Sequence, residues 1–156
     1  MNTFIYIPLI TILSFSTPEI VPKSEVVQEK LPPKITLEPL KLNPLFHRPV
    51  DLISIPKQIN NLLLAQQSGE IIEIDILGKS APRTILDLTK IVFTKHNEEG
   101  LLSIALDPKF EKTGKLFVWY SANNPRRGVL SHFKIKKNKD GLLVGDINSE
   151  KIILEI

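Results

Sequence analysis

Two adjacent carboxylates and a nearby imidazole are the residues of this chain best suited to chemistry. Glu98 and Glu99 follow His96 in a polar segment that ends at Gly100. A histidine can take a hydroxyl proton as a general base, and a carboxylate can accept hydrogen bonds from hydroxyl groups. Adjacent glutamates are poorly placed as acid and nucleophile on opposite sides of a glycosidic bond, so a glycosidase is not favoured. The alternative for the glutamates is a solvated acidic loop, and their residue types leave both interpretations open.

The other polar candidates favour structural roles. His47 precedes Arg48 at the edge of the folded region, and no chemical role is indicated for it. His132 alternates with Phe133 on a predicted strand, which places it on the polar, exposed face. The pair Arg126-Arg127 follows a polar turn and is predicted to be solvated. The sequence has no Gly-rich phosphate loop, no histidine cluster with metal-ligand spacing and no Ser-His-Asp arrangement.

Short strands are the elements that must position these residues. Apolar and β-branched runs between turn signals predict eight strands. Their predicted bounds are Val50–Ile55, Leu62–Gln66, Ile71–Ile76, Arg83–Leu88, Leu101–Leu106, Leu116–Tyr120, Val129–Lys136 and Lys151–Ile156. The polar run 58–61 is predicted to be a turn. Two groups of four strands, with a period of about 50 residues and no helical periodicity over 50–156, predict an all-β fold of the β-propeller type.

Three motifs carry a family resemblance, in a consistent order and spacing. The motif around the glutamates matches at Glu98, Gly100, Leu101, Leu102, Ala105, Pro108 and Phe110. Before it come Arg48–Leu52, Leu62–Gln67 and Gly69–Ile72, and after it comes Val129–Phe133. Over residues 46–156 the chain resembles the glucose/sorbosone dehydrogenase family of soluble six-bladed β-propellers. It departs from the family pattern at Ser103 (usually glycine), Asp107 (usually histidine) and His132 (usually arginine).

The resemblance implies a chemistry and one site residue. Many members oxidise the C1 hydroxyl of a sugar by hydride transfer to pyrroloquinoline quinone (PQQ), with Ca²⁺ also bound. By motif position, Glu98 inherits a substrate-binding role at the mouth of the central channel, near the sugar. The family's catalytic histidine belongs to a later motif, His-x-Gly-Gly-x-Leu, which this sequence lacks. Its PQQ and Ca²⁺ ligands also come from later blades. The resemblance therefore implies no catalytic, cofactor-binding or metal-binding residue within this chain, and no cofactor bound by it alone.

Two blades leave large apolar faces open, because each blade of a propeller packs between two neighbours. The sequence also stops within an apolar run at Ile156. We therefore expect the first two blades of a longer propeller, from a truncated gene, a frameshift or an incomplete sequence. Such a piece is expected to be inactive alone and to self-associate through its open blade edge. The alternatives are an extracellular binding module of the Hedgehog-interacting type and an inactive truncated remnant.

The composition of the chain excludes or disfavours several classes of function. The 156 residues include 20 Lys and Arg against 17 Asp and Glu, a net charge of +3. The basic residues are scattered among acids, which does not favour nucleic-acid binding. The absence of cysteine excludes disulfides, thiolate metal sites and a thiol nucleophile.

The N-terminal residues predict export. The run Phe4–Phe15 is almost wholly apolar but shorter than the roughly 20 residues of a membrane span. Residues 1–16 are a signal-peptide candidate, although no Lys or Arg precedes the apolar run. Residues 17–45 contain six of the twelve prolines and no glycine, which predicts an extended linker. The folded part is predicted over 46–156, in the periplasm or outside the cell.

Overall fold

The computed structural model describes residues 33–37, 39 and 46–156. The signal peptide predicted for 1–16 and most of the linker predicted for 17–45 lie outside the described residues. The described part of the linker is exposed and holds neither helix nor strand. Among the described residues, no helix has the length and apolar character needed to cross a membrane.

Residues 46–156 form eight strands and one short helix. They are β1 (Pro49–Ile55), β2 (Gln58–Gln66), β3 (Glu70–Asp75), β4 (Arg83–Asp87), β5 (Leu101–Leu106), α1 (Phe110–Thr113), β6 (Lys115–Ala122), β7 (Arg127–Lys137) and β8 (Leu143–Glu155). All neighbouring strands are antiparallel, in two sheets of order β1-β2-β3-β4 and β5-β6-β7-β8. The predicted all-β class and the grouping into two four-stranded units, as in propeller blades, are confirmed.

Two predicted strand boundaries are wrong. The β1–β2 turn is Pro56-Lys57, and Lys57 takes the left-handed φ of 62° that such a tight turn requires. Residues 58–61 therefore belong to β2 and not to a turn. β8 begins at Leu143 and not at Lys151, because β7 extends to Lys137 and its backbone pairs with Leu143. The first apolar residues of β8, Leu143 and Val144, are followed by Gly145 and Asp146, so this part of the strand has no sustained apolar pattern.

The core lies between the two sheets, where β1 lies against β5 and β4 against β8. Leu63 and Ile71 from the first sheet, and Leu116, Val118 and Phe133 from the second, are at most 1% exposed. Burying each such side chain stabilises the fold by about 1.5–3 kcal/mol relative to leaving it in water. This packing fixes the orientation of the two sheets and so of the loops at their ends.

A hydrogen-bonded contact joins the first strands of the two sheets, β1 and β5. The Oδ2 atom of Asp51 on β1 accepts from the Ser103 hydroxyl and from the Ile104 N–H on β5, both at 2.9 Å. The β5–β6 register shifts between Leu101 and Ser103, next to this N–H. Ser103, one of the departures from the family motif, therefore contributes a direct bond between the sheets.

His132 is buried, so its predicted exposure is wrong. Only 8% of it is accessible, and the Phe117 ring meets it edge-on with the ring centroids 5.8 Å apart. Its face of β7, turned away from the first sheet, carries the apolar pair Trp119 and Leu130 on one side of it and the pair Lys115 and Lys134 on the other. Burial, followed by the charges of nearby lysines, lowers the pKa of His132.

Candidate functional site

The loop between β4 and β5 turns one glutamate inward and leaves the other in solvent. Glu99 folds back on its own loop, where its Oε2 accepts the His96 backbone N–H at 2.7 Å. The Glu99 N–H in turn donates to the His96 carbonyl at 3.1 Å. The Glu99 side chain is 5% exposed, and its Oε1 lies against the Arg126 guanidinium as an ion pair, without an aligned hydrogen-bond donor. Glu99 is thus engaged in holding the loop.

Gln67, the residue after β2, clamps this loop to the first sheet. Its side-chain amide donates to the carbonyl oxygens of Asn97 and Glu99, each at 2.6 Å. Its own carbonyl accepts the Leu101 N–H at 2.9 Å. Gln67 is 7% exposed, so these bonds are made in a largely water-free environment, where an amide must be paired.

Gly100 permits that close approach. Its φ is +126°, and a Cβ added there would lie 2.5 Å from both Cγ and the carbonyl oxygen of Gln67. Only glycine tolerates this backbone conformation and this distance together. The glycine of the Glu-x-Gly motif is therefore required by the clamp.

Arg48 also connects the β4–β5 loop to the first sheet. Its guanidinium donates to the Asn97 side-chain oxygen, and its carbonyl accepts the Gln67 N–H at 3.0 Å. Sequence analysis did not identify Arg48 or Gln67 as site residues, although both lie in matched motifs. The signal that could have found Gln67 is an amide between the apolar run Leu62–Ala65 and the glycine turn at Gly69.

Glu98 remains exposed between Asn97 and Glu99, whose carbonyl oxygens Gln67 holds. Within residues 46–156, no hydrogen bond or ion pair engages its carboxylate, in contrast to Glu99. A free carboxylate on a fixed backbone can accept hydrogen bonds from two hydroxyl groups. The predicted site residue is thus placed where an external ligand can reach it.

The other residues considered in the sequence analysis, three histidines and two arginines, do not form a site with the Glu98 side chain. The His96 side chain is exposed in the same loop, and only its backbone is bonded. His47 is exposed, and its N–H donates to the Gln66 side chain at 2.6 Å. His132 lies among the apolar side chains of the second sheet. The arginine pair is not simply solvated as predicted, because Arg126 pairs with Glu99 and Arg127 lies in β7 and pairs with Glu155 at 2.6 Å.

The residues around the loop do not fit PQQ or its Ca²⁺. PQQ carries three carboxylates and needs clustered Lys and Arg, whereas Ca²⁺ needs several oxygen ligands. The loop itself carries Lys90 and Lys95, and the two arginines that contact it, Arg48 and Arg126, already engage Asn97 and Glu99. Over the described residues, no group of three or more His, Asp or Glu side chains is arranged to hold a metal ion.

Known proteins resemble this chain in sequence and in fold. Mouse (Mus musculus) Hedgehog-interacting protein is 26% identical over 123 residues, covering 71% of this chain and 17% of that protein. Three solved structures resemble it over 70% of its length. They are an oxidoreductase of Thermus thermophilus described as a glucose dehydrogenase (TM-score 0.53, 20% identity), the PQQ-bound aldose sugar dehydrogenase of Streptomyces coelicolor (0.51, 19%) and the apo soluble aldose sugar dehydrogenase of Escherichia coli (0.53, 16%).

This chain covers 28–30% of the length of those structures, and at these identities their likeness supports the fold. The family itself follows from a sequence comparison. The family model described as Glucose / Sorbosone dehydrogenase matches residues 46–152, well over half of the chain. The protein belongs to the glucose/sorbosone dehydrogenase family.

Proposed function

We propose that this chain supplies the sugar-facing wall of a propeller that oxidises an aldose at its C1 hydroxyl with PQQ. Within that wall, Glu98 is the residue that binds the sugar. The observation that carries the proposal is the contrast within one dipeptide. Glu99 is buried and engaged, whereas Glu98 is exposed and unengaged on a loop held by Gln67 and Arg126.

A fixed carboxylate suits a polyhydroxyl ligand. Hydrogen bonds from hydroxyl groups to an ionised carboxylate are stronger than neutral ones, about 1.5–3 kcal/mol each. Because the loop is already ordered by its clamp, binding does not have to order the backbone of Glu98. The role we assign to Glu98 is therefore orientation of the sugar, by accepting hydrogen bonds from adjacent hydroxyls.

The hydride acceptor and the base are not assigned to residues of this chain. Oxidation of a C1 hydroxyl removes a hydride from carbon and a proton from oxygen, and the proton needs a base. His96 is the nearest imidazole in sequence, but its ring makes no bond to Glu98. The family pattern places the base in a His-x-Gly-Gly motif, and PQQ and Ca²⁺ with later blades.

A sugar-contact experiment tests the role of Glu98. Saturation-transfer NMR with D-glucose should give a signal for the 156-residue chain, and Glu98→Ala should lower it by about tenfold, the loss of one charged hydrogen bond. Asp140→Ala removes an exposed carboxylate from the β7–β8 turn and is the matched control. An equal signal from Glu98→Ala and the parent chain would refute the assignment.

The second candidate function is an extracellular binding module. The similarity to Hedgehog-interacting protein over 71% of this chain favours it. The two candidates are distinguished by reading the DNA after the codon for Ile156. An in-frame His-x-Gly-Gly motif with clustered Arg and Lys would support the dehydrogenase, and an in-frame continuation without them would support the binding module. Either function places the protein in the periplasm or outside the cell.

A further inference from the structure

We propose that a cleft beneath α1, at the opposite end of β5 from Glu98, binds a small organic anion with an apolar body. The cleft has a volume of about 660 Å³. It lies between the β1–β2 turn, the helix α1 and the end of β7, with Leu143 of β8 at its edge. Sites for small molecules typically enclose about 300–1,000 Å³, so the cleft has the size of a ligand site.

Its floor is apolar and its rim is open to water. The lining residues Ile55, Phe110, Ile135 and Leu143 are all at most 8% exposed and belong to the core between the sheets. Other lining residues, such as Lys136, are exposed, so the cleft runs from solvent down to the core. An apolar ligand body that enters it would replace water over core side chains, which is favourable in proportion to the area covered.

The charge of the lining selects an anion. The lining includes four lysines and one carboxylate: Lys112, Lys134, Lys136, Lys137 and Glu111. That one carboxylate is already paired, since Glu111 lies 2.5 Å from the ammonium group of Lys57, which is outside the lining. The lysines therefore leave an uncompensated positive field at the rim, which favours a carboxylate or a phosphate.

One of these lysines is held in position. The ammonium group of Lys134 donates to the Thr113 carbonyl at 2.7 Å, at the C-terminal end of α1. An ammonium group has three N–H donors, and this bond uses one of them. The same end of α1 is fixed to β7, because the Gly114 carbonyl accepts the Ile135 N–H at 2.7 Å. The walls of the cleft are thus pre-organised, which lowers the entropy lost on binding.

The test uses octanoate and monooctyl phosphate as probes. The controls are octanol, which has the apolar chain without the charge, and inorganic phosphate, which has the charge without the apolar chain. Equilibrium dialysis with the 156-residue chain should show one saturable octanoate or octyl phosphate site per chain. Octanol and inorganic phosphate should each bind at least about tenfold more weakly, because each lacks one of the two contacts. Whichever anionic probe binds more tightly identifies the headgroup.

Charge variants locate the site. Lys112→Gln/Lys136→Gln removes one charge from each wall and should weaken octanoate binding by about tenfold. Lys79→Gln/Lys90→Gln removes two charges from exposed positions outside the lining and should change the affinity by less than twofold. Circular dichroism should show that both variants keep the β-sheet signal. NMR of labelled chain should show octanoate shifting the amides of Gly114 and Ile135.

Several outcomes would overturn the proposal. Equal weakening in the two double variants would show that the attraction is to net charge and not to the cleft. If octanol binds as tightly as octanoate, the anionic headgroup makes no contribution to the affinity, which contradicts the proposal. Amide shifts confined to Trp119 and its neighbours would place the probe on the outer face of the second sheet. Concentration-dependent association that the Lys112→Gln/Lys136→Gln variant abolishes, without saturable octanoate binding, would make a second copy of the chain the occupant.

Discussion

Neighbouring residues of the same type have opposite roles in the β4–β5 loop. The backbone turn between His96 and Glu99 directs the Glu99 carboxylate inward, and the next residue, Gly100, carries the chain into β5. The Glu98 carboxylate consequently lies in solvent, where it keeps its hydration and has no desolvation cost. A single loop can in this way combine a structural acid with a free one.

The two glutamates should respond differently to substitution. Glu98→Ala should change the free energy of unfolding by less than about 0.5 kcal/mol, as for most exposed side chains. Glu99→Ala should cost about 1–2 kcal/mol, because the His96 N–H loses its acceptor and the loop loses its inward anchor. Urea unfolding of both variants measures the difference. Equal costs would contradict the division of roles.

Gly100→Ala should be more damaging than Glu99→Ala. The added methyl meets the Gln67 side chain and carbonyl at 2.5 Å in a backbone conformation that L-residues avoid, and we expect a loss of about 2–4 kcal/mol. Gly78→Ala is the matched control, since Gly78 also has a positive φ, of +66°, but has no atom within 4 Å of the added methyl. That control should cost about 1 kcal/mol. If the two variants unfold at the same urea concentration, close approach to Gln67 is not the reason for the glycine.

At the scale of elements, the two faces of β7 meet different surroundings. One face carries Phe133 into the core between the sheets, and the other carries His132 across the outer face. The charges of Lys115 on β6, Lys134 on β7 and Lys151 on β8 lower the pKa of His132, and the carboxylate of Asp107 acts in the opposite direction. A protonated imidazole is therefore unfavourable there, both for burial and for charge.

This arrangement predicts a loss of stability in mild acid. The pKa of His132 is lowered in the folded state, so between that value and the unfolded value of about 6.5 the unfolded chain binds more protons. Its contribution to stability is then present above about pH 6.5 and is lost as the pH falls below it. His132→Leu should flatten the dependence of the unfolding free energy between pH 7 and 5. A dependence that persists in His132→Leu would contradict this.

At the scale of the whole molecule, the two sheets enclose one core but leave β8 as an open edge. Exposed apolar side chains lie along its last residues, at Ile152, Ile153 and Leu154. Long edge strands with apolar side chains tend to pair with other chains. We expect the purified chain to self-associate with rising concentration in analytical ultracentrifugation. Ile153→Lys should reduce this association, as charged residues do on natural edges, whereas Ile59→Lys on β2 should not. A chain that is monomeric at all accessible concentrations would contradict this expectation.

The proposed oxidation is also tested at the scale of the whole molecule. We expect the 156-residue chain not to reduce a dye acceptor with glucose or other aldoses in the presence of PQQ and Ca²⁺. The arginines beside the Glu98 loop are engaged, and no carboxylate cluster within the described residues fits the metal. A binding loop without a base and a hydride acceptor provides no path for the reaction. Sugar-dependent dye reduction by the purified chain would show that the active site lies elsewhere in these residues.

The amino-acid sequence by itself determined the eight strands, their grouping in fours and the placement of Glu98 in a loop before β5. These features depend on alternation and turn residues within a few positions, which are local properties of the chain. The order and spacing of three motifs in the sequence also indicated the family.

Only the tertiary structure separated Glu98 from Glu99, buried His132 and made Gln67 a clamp. The clamp joins Gln67 to Glu99, which is 32 positions away, and Asp51 meets Ile104 across 53. Such contacts depend on how one sheet lies on the other, and a local pattern has no information on the packing angle or distance. The cleft under α1 has the same origin, because its walls come from three separate parts of the chain that only folding brings together.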